Sequence, residues 1–475
     1  MKVCVLLPDY STTNVDYQNY DPPRDLSRFL LNDEVETVFI NKLTTYKQLK
    51  ELSKNNFDIY VNLCEGYLEW SVPSIDVIYT LELLNLPYTG PNVQLYDPSK
   101  ELMKYVAYCA NVKTPAYQII KSTNDVTNIN LKFPLFVKPA KAGDSLGIDK
   151  NSLVKNLLEL ENQVNIIIED YDEILIEEYI AGREFTVMVI ANADGKTCKA
   201  LEPVEFIFPE NNYFKTYALK TSELHTDANQ SIQDKSLVEL LKESAENIFK
   251  AFNGVGYSRL DFRMNEKGEL FFLEINFTCS VFYSNGYEGS ADYILKYDGI
   301  GQQNFLHHII QEGIERHKNK QLIYEMKGNA IAGYGIYAKR NIVKNEIIFK
   351  GEEKSQRIVT KKFVEENWNE KEKENFARYA YPISNNVFLL WDENATHWAP
   401  QNHSCNPNTS YQGLNVVATK PIKQGEELTL DYASFLNESA QSFICNCNAK
   451  NCRGLIQGDS NNNIEVRIKK ERQEK

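Results

Sequence analysis

Arg259-Leu260-Asp261-Phe262, followed by Phe272-Leu273-Glu274-Ile275-Asn276, is the stretch on which the reading of the larger part of this chain turns. Both segments have the apolar content of strands, and between them they carry Asp261, Glu274 and Asn276 as oxygen donors on what read as neighbouring strands. Oxygen ligands so placed are what a Mg²⁺ ion bridging nucleotide phosphates requires. A strand carboxylate is more often a solvated edge residue. Glu274, however, lies between Leu273 and Ile275 in an apolar run, where an anion needs a compensating charge.

Upstream, Phe133-Pro134-Leu135-Phe136-Val137-Lys138-Pro139-Ala140-Lys141-Ala142-Gly143-Asp144-Ser145-Leu146-Gly147 ends a strand on a lysine and enters a small-residue loop. An ammonium beside free loop amides suits a nucleotide phosphate; a surface lysine before a turn is the other reading of that segment taken alone. Ser99-Lys100-x-x-x-Lys104 opens a helix before it. Ile174-Leu175-Ile176-Glu177-Glu178-Tyr179-Ile180-Ala181-Gly182-Arg183-Glu184-Phe185-Thr186-Val187 and Tyr217-x-x-Lys220 come after it. At the start, Val3–Leu7, Val35–Ile40 and Ile59–Leu63 read as strands with helical stretches between, a small parallel α/β unit ending near Tyr88-Thr89-Gly90-Pro91.

Taken in order, these blocks make residues 1 to about 316 resemble the ATP-grasp ligases, most nearly the D-alanine–D-alanine ligase branch. The resemblance implies that Lys100, Lys138 and Lys220 contact ATP phosphates, that Glu177 lies near the adenine, and that Glu184 takes the ribose hydroxyls. It implies Mg²⁺ on Asp261, Glu274 and Asn276, and Arg259 as the oxyanion-stabilising catalytic residue. In such an enzyme a carboxylate is converted to an acyl phosphate that an amine captures. Three places depart from the branch: the first loop, Pro8-Asp9-Tyr10-Ser11-Thr12-Thr13-Asn14, lacks its glutamate; Asp144-Ser145 replaces two serines; and Phe277-Thr278-Cys279-Ser280-Val281-Phe282 follows Asn276. The apolar replacements suggest a larger carboxylate or a peptide-like substrate.

The other informative stretch runs from Asn402 to Cys452. Asn402-His403-Ser404-Cys405-Asn406-Pro407-Asn408 precedes Gly425-Glu426-Glu427-Leu428-Thr429-Leu430-Asp431-Tyr432 and Cys445-x-Cys447-x-x-x-x-Cys452. Three thiolates on one tight loop can face a single ion, with Cys405 completing a tetrahedral Cys4 zinc set; unrelated free thiols are the alternative. These blocks, with Gly333-Tyr334-Gly335-Ile336-Tyr337-Ala338, resemble the SET-domain protein methyltransferases with a post-SET zinc loop. By that resemblance Tyr432 is the catalytic hydroxyl, and Gly333, Gly335, Tyr337, Asn402 and His403 surround S-adenosylmethionine. The substrate would be a protein lysine, its amine made neutral by desolvation in a narrow channel.

The expected architecture is an α/β preATP-grasp domain (1–95), an ATP-grasp domain (96–318), a mainly β SET domain (319–440), a post-SET zinc loop (441–458) and a polar tail (459–475). A helix from Gln302 to His317, with Phe305, Ile309, Ile310 and Ile314 on one face, closes the ligase part, and His317-Lys318-Asn319-Lys320-Gln321 reads as the linker. Phe363–Tyr379 reads as one charged amphipathic helix, either lining a peptide groove or simply packed on the surface, and His397-Trp398 as core.

Composition narrows the classes. The chain has 475 residues and a formal charge of −13, of which residues 319 onward contribute +3 and residues 1–318 contribute −16. Neither part has the clustered Lys and Arg of a nucleic-acid binder; Arg467–Arg472 reads as part of a solvated tail. No apolar run approaches the roughly 18 residues of a membrane span, and the opening segment is a strand rather than a signal peptide. Nine cysteines, five of them scattered before residue 280, point to a reducing, cytoplasmic setting. The reading is a fused chain: an ATP- and Mg²⁺-dependent carboxylate-amine ligase, acting on small-molecule or peptide substrates, followed by a zinc-containing lysine methyltransferase. In the alternative, one half is a non-catalytic binding module for the other.

Overall fold

In the computed structural model the first strand, β1 (Lys2–Pro8), pairs in parallel with β2 (Glu34–Ile40) on one side and β3 (Ile59–Asn62) on the other. Residues 1–11, 21–66, 71–141, 147–209, 213–215, 228–320, 323–329, 333–351, 356–391 and 401–459 are described. The unbroken apolar run of β1 reflects burial on both faces. Val3, Val5 and Leu7 join Ile59, Val61 and Leu63 in one core, while Cys4 and Leu6 pack with Tyr60 against α1 (Thr45–Leu52) and α2 (Ile75–Leu83). The helical stretch expected between β1 and β2 is, among the described residues, a single 3-10 turn at Ser27–Phe29. Asp25 accepts hydrogen bonds from the Ser27 amide and hydroxyl there, a local arrangement that competes with helix propagation.

Two antiparallel sheets follow. The first has the order β4 (Tyr117–Ile120), β7 (Ile174–Glu178), β5 (Leu135–Pro139), β6 (Leu153–Val154), and α4 (Leu157–Ile167) lays Leu160, Val164 and Ile167 on it. The second is built on β8 (Arg183–Ala191) and β12 (Tyr257–Met264), flanked by β10 (Val204–Phe206), β11 (Asn229–Ser231) and β13 (Leu270–Asn276), with β9 (Cys198–Ala200) pairing the far end of β8. The helix α5 (Lys235–Ala251), capped by Asp234, covers one face through Leu237, Leu241, Ala245 and Ile248. α3 (Lys100–Cys109) packs on β13, and α6 (Ser290–Asp298) and α7 (Gly301–Lys320) close the unit. Phe305, Ile309 and Ile310 of α7 are buried as the spacing requires. The expected linker from His317 is instead the last part of α7: the run contains no Gly or Pro, and Lys318 pairs with Glu315 at 2.8 Å.

Met1–Lys320 and Gln321–Lys475 are separate units. The second is a set of small sheets around Tyr324, Ile336, Tyr381, Val416, Leu428 and Leu430. Its strands are β14 (Tyr324–Asn329) with β15 (Gly333–Ala338); β16 (Ile347–Phe349) beside β22 (Asn415–Ala418) and β21 (Thr409–Gln412); β17 (Gln356–Thr360), β19 (Val387–Trp391) and β18 (Tyr381–Pro382); β20 (Asn402–His403) parallel to β23 (Thr429–Leu430); and β24 (Phe443–Ile444) with β25 (Leu455–Ile456). The single helix expected over Phe363–Tyr379 is two, α8 (Lys361–Asn367) and α9 (Glu370–Tyr379). Asn369 breaks the run because its side chain caps Glu372 while the Glu372 carboxylate caps Asn369 in return. Among the described residues no helix is long and apolar enough to cross a membrane. His397-Trp398 and the basic tail lie outside the described residues.

Candidate active sites

On β12 and β13 the two-residue pleat puts Arg259 and Asp261 on the same face as Glu274 and Asn276, and the register sets Asp261 opposite Glu274 and Arg259 opposite Asn276. β8 adds Thr186 opposite Asp261 and Glu184 opposite Arg263. Asp261 Oδ1 accepts from the Thr186 hydroxyl at 2.8 Å, and its Oδ2 is 3.6 Å from Arg259 Nη2. Glu274 Oε2 lies 3.9 Å from Lys100 Nζ. Asn276 Oδ1 accepts from the Thr278 amide at 2.8 Å, which orients its side chain. Carboxylates directly opposite one another repel. A divalent cation between oxygen donors of this set removes the repulsion, and the residues fit one.

The lysines come from α3 and β5. Lys100, Met103, Lys104 and Ala107 are the buried face of α3, so two positions of an otherwise apolar stripe are charged. Glu177 on β7 is clamped between Lys104 and Lys138, each ammonium 2.6 Å from a different carboxylate oxygen. Burial alone would push the Glu177 carboxyl up, but the two cations outweigh it and hold it at about 2. Burial pushes Lys100 and Lys104 down; Lys138, equally buried, is held up by Glu177 and Glu274. Three buried ammonium groups around the enclosed Glu177 are cations of the kind that take a polyphosphate, set beside the carboxylates Glu184, Asp261 and Glu274. A cleft of about 630 Å³ opens over this floor, lined by Lys138, Glu177, Glu184, Asp261 and Glu274 and by the apolar Phe136, Ile148, Tyr179 and Leu273.

Lys100, Lys138, Glu177, Glu184, Asp261, Glu274, Asn276 and Arg259 are therefore brought together. Lys220 and Tyr217, and residues 142–146 of the loop after Lys138, lie outside the described residues. Two cations, Arg263 and Lys215, were missed, and Lys104, quoted with Lys100, was given no role. Its i+4 relation to Lys100 puts both on the buried face of α3. Arg263 continues the alternation from Arg259 and Asp261; Gly182 O and Tyr213 O hold its guanidinium 3.9 Å from Glu184. Lys215, 3.1 Å from Glu184, sits in an irregular segment with no sequence signal.

The departures after Asn276 also have a different meaning. Phe277, Cys279, Val281 and Phe282 are all at most 1% exposed and belong to the hydrophobic cores. They fill the interior and do not line a substrate site, so the inference of a larger substrate from their apolar character falls. Beyond the carboxyl ends of β1 and β3, Arg24 is buried between Glu65 (3.1 Å) and Asp21 (3.4 Å), and Tyr283 donates to Asp21 at 2.7 Å. Burial pushes Glu65 up to about 7 despite Arg24, whose charge Asp21 shares. Sequence reasoning missed this group because Glu65 and Tyr283 come from segments far from Asp21 and Arg24.

In the second unit, Tyr432 opens a 3-10 turn and donates its hydroxyl to Gln401 O at 2.5 Å. His403, Phe435 and Phe443 surround its ring, and burial pushes the phenol well above its ordinary value. Asn402 Nδ2 donates to Tyr334 O at 2.7 Å, tying β20 to the strand that carries Gly333, Gly335 and Tyr337. His403 Nδ1 accepts from the Tyr432 amide at 3.1 Å, and burial lowers its pKa although Asp431 opposes. The ring proton of the neutral form is then on Nε2, 3.4 Å from Cys405 Sγ.

His403, Cys405, Cys445 and Cys447 place their ligand atoms within 4.8 Å of one another. Backbone amides of Cys405 and Arg453 point at Cys447 Sγ and Cys405 Sγ, both at 3.4 Å, which suits thiolates. Cys452, expected as the fourth ligand, is exposed and outside that group, with its thiol 3.8 Å from Cys445 O. Because Nδ1 of His403 is engaged as an acceptor and Nε2 carries the proton, His403 is arranged to hydrogen-bond a sulfur ligand rather than to bind metal itself. The residues fit a zinc ion on thiolates.

Residues 105–285 match the family described as D-ala D-ala ligase C-terminus, and residues 333–433 match the SET domain. Similar curated proteins include the D-alanine–D-alanine ligase of Bacillus velezensis, 32% identical over 261 residues covering 51% of this chain and 69% of that protein. That of Aquifex aeolicus is 29% identical over 199 residues, 41% of this chain and 64% of that protein. Relatives from Streptococcus pneumoniae are covered over 57% of their length, so the chain spans about two thirds or less of several of the proteins it matches. Solved structures include a D-alanine–D-alanine ligase from Bacillus anthracis complexed with ATP, at TM-score 0.48 and 19% identity over 68% of this chain and 100% of that one. Another, from Coxiella burnetii, has TM-score 0.49 and 20% identity over 68% of this chain and 96% of that one. The chain belongs to the D-alanine–D-alanine ligase family of ATP-grasp proteins through its first unit, and it carries a SET domain in its second.

Proposed function

We propose that this chain holds two activities: ATP-dependent joining of a carboxylate to an amine, and methylation of protein lysine. The first rests above all on Asp261 facing Glu274 beside a floor of buried lysines. Asp261, Glu274 and Asn276 would hold Mg²⁺, which when bound neutralises phosphate charge. Lys100, Lys138 and the undescribed Lys220 would take the phosphates, Glu177 and Glu184 the adenine and ribose ends, and Arg259 the charge developing on the acyl oxygen. A carboxylate oxygen attacks the γ-phosphorus and ADP departs; the amine nitrogen then attacks the acyl carbon as phosphate leaves and the nitrogen loses a proton.

The second activity rests on Tyr432 standing beside Asn402, His403 and the Gly333–Tyr337 strand. S-adenosylmethionine would lie along Gly333, Gly335, Tyr337, Asn402 and His403, and supplies an electrophilic methyl group when bound. Tyr432 orients the lysine amine in a desolvated site. Cys405, Cys445 and Cys447 would bind structural zinc, with Cys452, now turned to Cys445 O at 3.8 Å, swinging in as the fourth thiolate, and the free thiols elsewhere suit a reducing, cytoplasmic setting. The test incubates purified chain with labelled S-adenosylmethionine and whole-cell protein, and separately with Mg-ATP and a panel of carboxylates and amines. Label in protein lysine and saturable phosphate release are expected. No label under any condition overturns the methyltransferase assignment, and failure to bind ATP overturns the ligase assignment.

A further inference from the structure

Glu427 touches three segments that meet at the methyl-donor site. Its Oε1 accepts from Asn402 Nδ2 at 2.8 Å and from Asn329 Nδ2 at 2.9 Å, joining β20 to β14. Its carboxylate also lies against Gly335 of β15: a Cβ at 335 would run into Oε1 and stand 3.1 Å from Cδ, with the Tyr337 ring edge equally near. Glu427 is itself held firmly. Its backbone bridges Tyr337, the next amide donates to Ile336 O at 2.7 Å, and Asn408 Nδ2 donates to its carbonyl at 2.8 Å.

We propose that Glu427 is a positioning residue for S-adenosylmethionine, bracing Asn402 against β14 beside the glycine strand, and that a side chain at 335 would have to displace its carboxylate. The proposal rests on the methyltransferase reading. Two amide donors converge on one charged oxygen, and a charged acceptor makes the stronger kind of hydrogen bond. Without that oxygen both amides lose their shared acceptor, leaving Asn329 Nδ2 with the Tyr337 hydroxyl at 3.2 Å and Asn402 Nδ2 with Tyr334 O at 2.7 Å.

The test is isothermal titration of the full-length chain with S-adenosylmethionine, together with methyl transfer at saturating cofactor. Losing the shared acceptor corresponds to about tenfold or more in cofactor Kd for Glu427→Ala, with kcat within about threefold. Glu427→Gln keeps one oxygen able to accept from both amides and stays near wild type. Gly335→Ala weakens binding alone but adds little on the Glu427→Ala background, because the group that excludes a Cβ is gone. Wild-type Kd for Glu427→Ala, or losses that multiply in the double variant, overturns the proposal. If Glu427→Ala does not fold, Glu427→Asp, one methylene shorter, must recover binding in a Gly335→Ala chain; no recovery overturns it. A wild-type chain that binds no S-adenosylmethionine sinks the methyltransferase reading, and the proposal with it.

Discussion

Asp261 and Glu274 are register partners on adjacent antiparallel strands, two carboxylates facing one another in a cleft that Lys138 also lines, with Lys100 3.9 Å from Glu274. This pair is kept against its own repulsion, roughly 0.2 to 1 kcal/mol for directly opposed like charges. Glu274→Gln is therefore expected to leave unfolding free energy in the absence of nucleotide within about 1 kcal/mol of wild type, while phosphate release from Mg-ATP falls by roughly 100-fold or more. Urea melts and a phosphate-release assay check the two halves. Turnover at the wild-type rate would remove Glu274 from the metal set.

Glu177 makes the stability of the first unit sensitive to acid. Its folded pKa of about 2 lies below the ordinary 4.5, so its stabilising contribution is fully present above pH 4.5 and is lost as pH falls towards 2. The difference corresponds to about 3 kcal/mol. Glu177→Gln should cost about 3 to 5 kcal/mol at pH 7, because Lys104 and Lys138 are left facing each other without an anion. It should also flatten the pH dependence below 4.5. Parallel loss of stability in wild type and variant from pH 4.5 to 3 would contradict this account.

Chelation should abolish methyl transfer before the second unit unfolds, since the zinc loop packs Phe443 against Tyr432 and His403. Zinc content should fall to near zero in Cys405→Ser and Cys447→Ser. It should fall in Cys452→Ser as well, but persist in His403→Ala, whose ring serves as a partner to Cys405. Retention of full zinc by Cys452→Ser with loss in His403→Ala would reverse those two roles.

Tyr432→Phe should remove methylation with little change in S-adenosylmethionine affinity, because the hydroxyl contacts Gln401 O while Asn402 and His403 serve the cofactor side. Equilibrium binding and label transfer on the same preparation separate the two effects. A variant that methylates normally would show that the hydroxyl has no part in transfer.

D-alanine alone should be a poor substrate. The first loop lacks the branch's glutamate, and among the described residues Asp21 and Glu65 beyond β1 and β3 already share Arg24. An ammonium left unpaired in a closed site costs on the order of 1 to 3 kcal/mol, about 10- to 100-fold in affinity. Rapid, saturable phosphate release with D-alanine alone is the result that would refute the claim.

Much of this molecule was legible in the chain. The unbroken run Val3–Leu7 announced a sheet buried on both faces, and the grouping of Asp261, Glu274 and Asn276 on one sheet face could be read because they lie on two segments joined by a short turn. The thiols of Cys445 and Cys447 were legible for the same reason: their spacing is local. Local pattern failed at element ends, where α7 ran through the expected linker and Asn369 divided one helix into two, because capping depends on side-chain geometry more than on hydrophobic period.

The sequence by itself determined which chemistries the chain could house, since residue types and their order carry that information. Only the tertiary structure decided which charges share an environment. Lys104 reaches Glu177, Arg24 joins Asp21 to Glu65, and Glu427 meets Gly335, Asn329 and Asn402 across separations that no sequence window spans. It also decided that Phe277, Val281 and Phe282 belong to the core. The physical reason is that hydrophobicity is a property of a residue, whereas burial, register and electrostatic pairing are properties of the neighbours that folding brings to it.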